Sequence, residues 1–119
     1  FFQFPMHLHI ANDGDCVAFD WIHCTHLQTI RFSKTIKRVG AFAFMGCINL
    51  EHVLFEVGDL NLEILEGAFA HCPRLQSVRF ECSREENAPN IAISNKAFYA
   101  SSRCTVSVPL QLCRKHASS

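Results

Sequence analysis

The chain has 119 residues, of which 49% are hydrophobic and 18% are charged, so it can form one globular domain with a continuous core. Eleven Lys and Arg residues balance eleven Asp and Glu residues. This balance argues against nucleic acid and acidic membranes as partners, because those partners attract a surplus of positive charge. No apolar run reaches about 18 residues, so we expect no membrane span.

Residues 1–16 are interpreted as an incomplete leading repeat or cap. They begin with Phe1 and lack the pattern of a signal peptide, so we expect a fragment of a longer protein or of a longer repeat array. Met6–Ile10 alternates apolar and polar residues, which predicts a strand with one buried face. The sequence Asn-Asp-Gly-Asp at residues 12–15 predicts a chain reversal.

The chain then repeats one pattern, Ala-Phe-x-x-Cys-x-x-Leu-x-x-Val-x-Phe. It occurs at residues 43–55 and 68–80, and a looser copy lies at residues 20–32. The repeated cysteines, Cys24, Cys47 and Cys72, are 23 and 25 residues apart. This period lies within the range of leucine-rich repeats.

Each copy predicts two elements. The part Leu-x-x-Val-x-Phe predicts a short strand whose Val and Phe point inward, because successive strand side chains alternate between faces. The part Ala-Phe-x-x-Cys, which has no β-branched residue at its key positions, predicts one or two turns of helix with the aromatic ring and the Cys on one side. Trp21, Phe44 and Phe69 then occupy equivalent positions and should each bury a ring.

The pattern weakens after Phe80. Residues 81–90 are a polar insertion, which predicts a surface loop. The last copy, at residues 97–109, has Ser101 at the Cys position and Cys104 at the Leu position, and Pro109 suits the end of an edge strand. We therefore assign residues 17–109 to a repeat domain of three to four units and residues 110–119 to a frayed tail.

The repeated pattern resembles the BspA-like class of leucine-rich repeats. The resemblance is specific in residues 43–55 and 68–80, weaker in 20–32, where Asp20 and Trp21 replace Ala and Phe, and weakest in 97–108. It implies an α/β solenoid with short parallel strands on one face and short helical turns on the other. It also implies a non-catalytic module for protein interaction or adhesion, with no cofactor and no catalytic residue, and it leaves open whether the protein lies inside the cell or at its surface.

Stacked strands would place their outward residues in rows about 4.8 Å apart from strand to strand. One predicted row is Thr29, His52, Ser77 and Thr105, the next is Arg31, Leu54, Arg79 and Ser107, and a third is Ser33, Glu56 and Glu81. Arg beside an apolar residue is typical of protein interfaces, which places His52, Leu54 and Arg79 near the centre of a binding face. The alternative is that the arginines only pair with Glu56 and Glu81 as solvated charge. The candidate binding residues are Thr29, Arg31, His52, Leu54, Glu56, Ser77, Arg79 and Glu81.

Histidines and carboxylates offer little evidence for a metal or catalytic site. Seven His residues are present, but the sequence lacks the paired ligand spacing of zinc sites, so His23 and His26 are interpreted as surface positions. His7 and His9 share one strand face, and two ligands alone do not define a metal site. Glu85 and Glu86 lie in a polar loop without the cleft that glycosidic chemistry needs. The motifs of phosphate binding, serine hydrolases and zinc proteases are also missing from the sequence.

Seven cysteines leave the redox state open. Three of them share one repeat position, as expected of small buried side chains, which favours reduced thiols in an intracellular protein over a disulfide framework. A disulfide between Cys104 and Cys113 is possible from the spacing. Two other functions therefore stay open, a fragment of a cell-surface adhesin with oxidised cysteines and, less in keeping with the sequence, a thiol or metal enzyme. End-to-end self-association through terminal strands is a further expectation for a short repeat array.

Overall fold

The computed structural model describes residues 6–10, 16–17, 21–58, 61–82, 91–101 and 103–107. Within these ranges the regular structure consists of short strands joined by turns. The strands are β1 (Met6–Ile10), β2 (Cys16–Val17), β3 (Leu27–Phe32), β4 (Arg38–Val39), β5 (His52–Val57), β6 (Leu62–Ile64), β7 (Ser77–Cys82), β8 (Ile91–Ile93) and β9 (Thr105–Ser107). No helix in the described ranges is long and apolar enough to cross a membrane.

The strands form two parallel sheets. The larger sheet has the order β1-β3-β5-β7-β9, and the smaller has the order β2-β4-β6-β8. Strands that follow one another in the chain therefore alternate between the two sheets. One passage through both sheets is called a coil below, and the stacked coils make a parallel β-solenoid.

The predicted strands are confirmed, together with the inward direction of most of their apolar residues. Ile30, Phe32, Val53, Phe55, Val78 and Phe80 are all buried. The alternation of Met6–Ile10 also corresponds to a strand, β1. In the last unit Val106 differs, since it lies on the outer strand β9 and is 40% exposed.

Two columns of phenylalanine rings fill the core. In one column Phe55 stacks between Phe32 and Phe80, at centroid distances of 4.5 and 5.0 Å. In the other column Phe69 stacks between Phe44 and Phe98, at 5.3 and 5.5 Å. The columns meet edge to face, with Phe55 and Phe69 6.4 Å apart at 88°, an arrangement that aromatic quadrupoles favour. Trp21, placed by its sequence at the start of the second column, is only half-buried against the core.

The predicted helical turns are wrong for the described residues, because Ala-Phe-x-x-Cys folds as a series of tight turns. An α-helix would need each N–H to bond four residues back along the same segment. Here alternate N–H groups leave the segment and bond to the next coil: Phe42, Phe44 and Gly46 donate to the carbonyls of Glu66, Ala68 and Ala70 at 2.8–3.0 Å. The N–H groups that follow each of these, of Ala43, Met45 and Cys47, bond three residues back. Positive φ angles at Phe42 and Gly46, 61° and 75°, also interrupt any helical run.

The smaller sheet is an element that the sequence analysis did not predict. Val39 and Ile64 are fully buried strand residues of β4 and β6 and lie side by side in register. The predicted surface loop at residues 81–90 is corrected at its start, because Glu81 and Cys82 continue β7. The predictions for residues 12–15, 83–90, 109 and 110–119 lie outside the described residues.

Candidate binding face

Parallel pairing in the larger sheet aligns side chains in rows that run across the strands. We call the side of this sheet that carries the rows the outer face. The register places His7, Thr29, His52, Ser77 and Thr105 in a first row, and His9, Arg31, Leu54, Arg79 and Ser107 in a second. Glu56 and Glu81 pair in a third row. Ser33 lies one residue beyond β3, and its hydroxyl bonds instead to Thr35 at 2.6 Å.

A shallow depression of about 410 Å³ lies on the outer face. Six of the eight candidate residues line it: Thr29, Arg31, His52, Leu54, Ser77 and Arg79. Glu56 and Glu81 do not line it. Leu54 is half-buried, so it presents a limited apolar surface between the two arginines of its row.

Strand β1 contributes two residues that sequence reasoning did not assign to this face. His7 and His9 line the same depression, because β1 pairs with β3 and places them beside Thr29 and Arg31. The alternation of Met6–Ile10 indicated that both histidines point to the same side of a strand. Their row positions depend on a register shift between Met6 and His7, which no local pattern indicates.

Polar contacts connect neighbouring residues within the first row. His7 Nδ1 is hydrogen-bonded to Thr29 Oγ1, and His52 Nδ1 lies 2.8 Å from Ser77 Oγ. Each histidine therefore contacts a hydroxyl of the adjacent strand. These contacts order the imidazoles while the side chains of His7 and His52 stay exposed to solvent.

Contacts in the second row involve the guanidinium groups. Arg31 Nη2 lies 3.4 Å from His9 Nδ1, and Arg31 Nε lies 3.6 Å from Glu56 Oε2. Arg79 approaches Glu81 at 4.0 Å. The pairing that the sequence suggested as an alternative is thus present. Both arginine side chains are more than half exposed, at 51% and 63%, and exposed pairs of this kind contribute only about 0.2–1 kcal/mol.

Cys47 and Cys72 lie in the core, away from the outer face, and Cys24 is half-buried against the core. Burial raises the pKa of the Cys47 thiol to about 12 and that of Cys72 to about 11. Burial also raises the pKa of Cys104. Nucleophilic catalysis requires a thiolate, and these shifts keep the thiols neutral. All four cysteines whose side chains are described, Cys24, Cys47, Cys72 and Cys104, are free thiols.

The position before each repeated cysteine, and before Ser101 in the last unit, has a left-handed backbone. His23, Gly46, His71 and Ala100 have φ angles between 56° and 75°. The side chains of His23 and His26 are exposed, as the sequence predicts, and so is that of His71. Within the described ranges, no group of three or more His, Cys, Asp or Glu side chains is placed to hold a metal ion.

Comparison with known families agrees with this architecture. The family model described as BspA type leucine rich repeat region (6 copies) matches residues 17–113. No curated protein and no solved structure is significantly similar to the chain. Since the family match spans most of the chain and the described strands stack as a solenoid, the chain belongs to the BspA-type leucine-rich repeat family.

Proposed function

We propose that this chain is a non-catalytic interaction module that binds a partner protein through the outer face. The observation that carries the proposal is the depression lined by Arg31, Leu54 and Arg79 in one row. Arginine is enriched at protein interfaces, and the half-buried Leu54 adds an apolar surface between the two arginines. Family membership points the same way, because BspA-type repeats serve mainly as interaction or adhesion modules.

The solenoid supports this use physically. Strands of the larger sheet are held on their inner side by the phenylalanine columns, so the outer residues project from a rigid base. A rigid surface loses little conformational entropy when it binds. The polar pairs His7–Thr29 and His52–Ser77 further restrict the side chains before a partner arrives.

The test compares capture of proteins from the native host by three forms of the chain. Leu54→Glu places a charge at the centre of the outer face, and Ile48→Glu makes the same change at a site in a turn that is 47% exposed. We expect specific partners to bind the wild type and Ile48→Glu but to lose affinity for Leu54→Glu on the order of tenfold or more, as at interface centres. Circular dichroism and thermal unfolding establish that both variants fold.

Capture that is equally strong with Leu54→Glu would contradict the outer face as the binding surface. A partner that is lost with Ile48→Glu and kept with Leu54→Glu would assign binding to the turns instead. Both results can be interpreted without knowing which protein the partner is.

A further inference from the structure

We infer that the partner presents an acidic segment whose carboxylates bind Arg31 and Arg79 on either side of Leu54. This inference rests on the proposed function and adds the chemistry of the partner. It follows from the charges that line the depression, from the geometry of the two arginines and from the weakness of their present ion pairs.

The lining of the depression differs in charge from the chain as a whole, which carries no formal net charge. Among its described lining residues are two arginines and three histidines and no Asp or Glu. The charged lining residues are Arg31 and Arg79, and the histidines are His7, His9 and His52. Complementary charge across an interface raises the association rate and selects the partner, so this surface favours a negatively charged segment.

The two arginines are spaced for separate carboxylates. Arg31 and Arg79 lie in one row on β3 and β7, with Leu54 of β5 between them. Because neighbouring strands are about 4.8 Å apart, the two positions are about 10 Å apart along the row. A segment matches this row if it presents one acidic side chain on each side of an apolar side chain, with all three directed towards the outer face.

The carboxylates already near the arginines can be replaced at small cost. Glu56 and Glu81 lie in the next row and approach Arg31 and Arg79 at 3.6 and 4.0 Å, which is long for a charge-assisted hydrogen bond. All four side chains are at least 41% exposed. Such pairs are weak in water, so a partner carboxylate that reaches a guanidinium in shorter, bidentate geometry replaces them favourably.

An unbiased peptide selection tests the inference. A display library of random linear peptides is selected on the wild-type chain, and peptides that lose binding to Leu54→Glu but not to Ile48→Glu define the outer-face binders. We expect these peptides to be enriched in Asp and Glu. We also expect the double variant Arg31→Glu with Arg79→Glu to weaken them on the order of tenfold or more, since each change removes an attraction and adds a repulsion.

The control for charge is Arg38→Glu on the smaller sheet. Arg38 is 50% exposed and pairs with Glu63 at 3.3 Å, much as Arg31 pairs with Glu56. This variant should leave peptide affinity unchanged.

Three results would overturn the inference. Outer-face binders without acidic residues, unaffected by the double arginine variant, would leave the proposed function standing and remove its acidic partner. Selected peptides that all bind Leu54→Glu as well as the wild type would contradict both proposals. Displacement of the acidic peptides by inorganic phosphate or heparin at equal charge concentration would indicate a general anion site in place of peptide recognition.

Discussion

Ser101 donates a hydrogen bond from its buried hydroxyl to the carbonyl oxygen of Phe69, over 2.7 Å. Earlier coils make the same connection with a thiol, since Cys72 Sγ lies 3.4 Å from the carbonyl of Phe44 and Cys47 Sγ lies 3.2 Å from that of Trp21. The repeated position thus holds a small donor that joins each coil to the aromatic residue of the coil before it. This explains why serine can replace cysteine there.

We predict that Ser101→Ala destabilises the fold by about 1–3 kcal/mol, because it leaves buried polar groups unsatisfied. The hydroxyl also accepts a hydrogen bond from the N–H of Cys72 at 3.0 Å, so two backbone groups lose their partner. Chemical denaturation measures the loss. Ser101→Cys, which restores the residue type of the other coils, should retain more stability than Ser101→Ala. If the Cys and Ala variants are equally stable, the hydrogen bond between the coils contributes little.

Phe69 is the central ring of its column, and we predict that Phe69→Ala lowers the free energy of unfolding by about 3–5 kcal/mol. The ring is fully buried and stacks on Phe44 and Phe98, so its removal leaves a cavity between two coils. Tyr99→Ala serves as the aromatic control, because that ring is 64% exposed and contacts only the His71 ring among the described aromatic pairs. Thermal unfolding should show a small change, within about 0.5 kcal/mol, for the control. Comparable losses for the two variants would be inconsistent with a phenylalanine column that supports the core.

Gly67 requires a small residue for two reasons, and we predict that Gly67→Ala costs about 1–3 kcal/mol. Its φ of 69° disfavours a side chain, and an added Cβ would lie 2.3 Å from Cδ1 of the Phe42 ring. Phe42 is 42% exposed, so the ring can move aside at some loss of contact. Equilibrium denaturation measures the cost.

A double-mutant cycle separates the two contributions at Gly67. In the background of Phe42→Ala the steric conflict is absent, and Gly67→Ala should then cost only the backbone term of about 1 kcal/mol. An identical cost in both backgrounds would mean that the Phe42 ring adapts freely.

The buried thiols should make the fold less stable at high pH. Burial raises the pKa of Cys47 from an ordinary value of 9.0 to about 12, and that of Cys72 to about 11. Above pH 9 the unfolded thiols lose protons that the folded ones keep, so stability is full below that pH and falls as pH rises towards 11 and 12. Each thiol contributes a slope of up to about 1.4 kcal/mol per pH unit.

Urea denaturation of the wild type and of Cys47→Ala with Cys72→Ala checks this dependence. The double variant is less stable at every pH because core volume is lost, but its stability should fall less steeply above about pH 9. Parallel profiles for the two proteins would rule out the thiols as the source of the alkaline loss.

The sequence by itself determined the repeat frame, the strands of the larger sheet and, except for Val106, the side of that sheet on which their residues lie, but it did not predict the smaller sheet. These follow from local alternation, because a strand directs successive side chains to opposite faces. The row of Arg31, Leu54 and Arg79 also follows from equivalent positions in successive repeats. The resemblance to BspA-type repeats, carried by the same residues, is confirmed by the family match.

Only the tertiary structure decided the conformation of Ala-Phe-x-x-Cys and the place of β1. The turns form because alternate amides such as those of Phe42 and Phe44 bond to a neighbouring coil, and a local sequence pattern carries no information about partners some 25 residues away. His7 and His9 join the outer face through a shifted register between β1 and β3. That shift depends on how the first coil packs against the next one, which is a property of the assembled core.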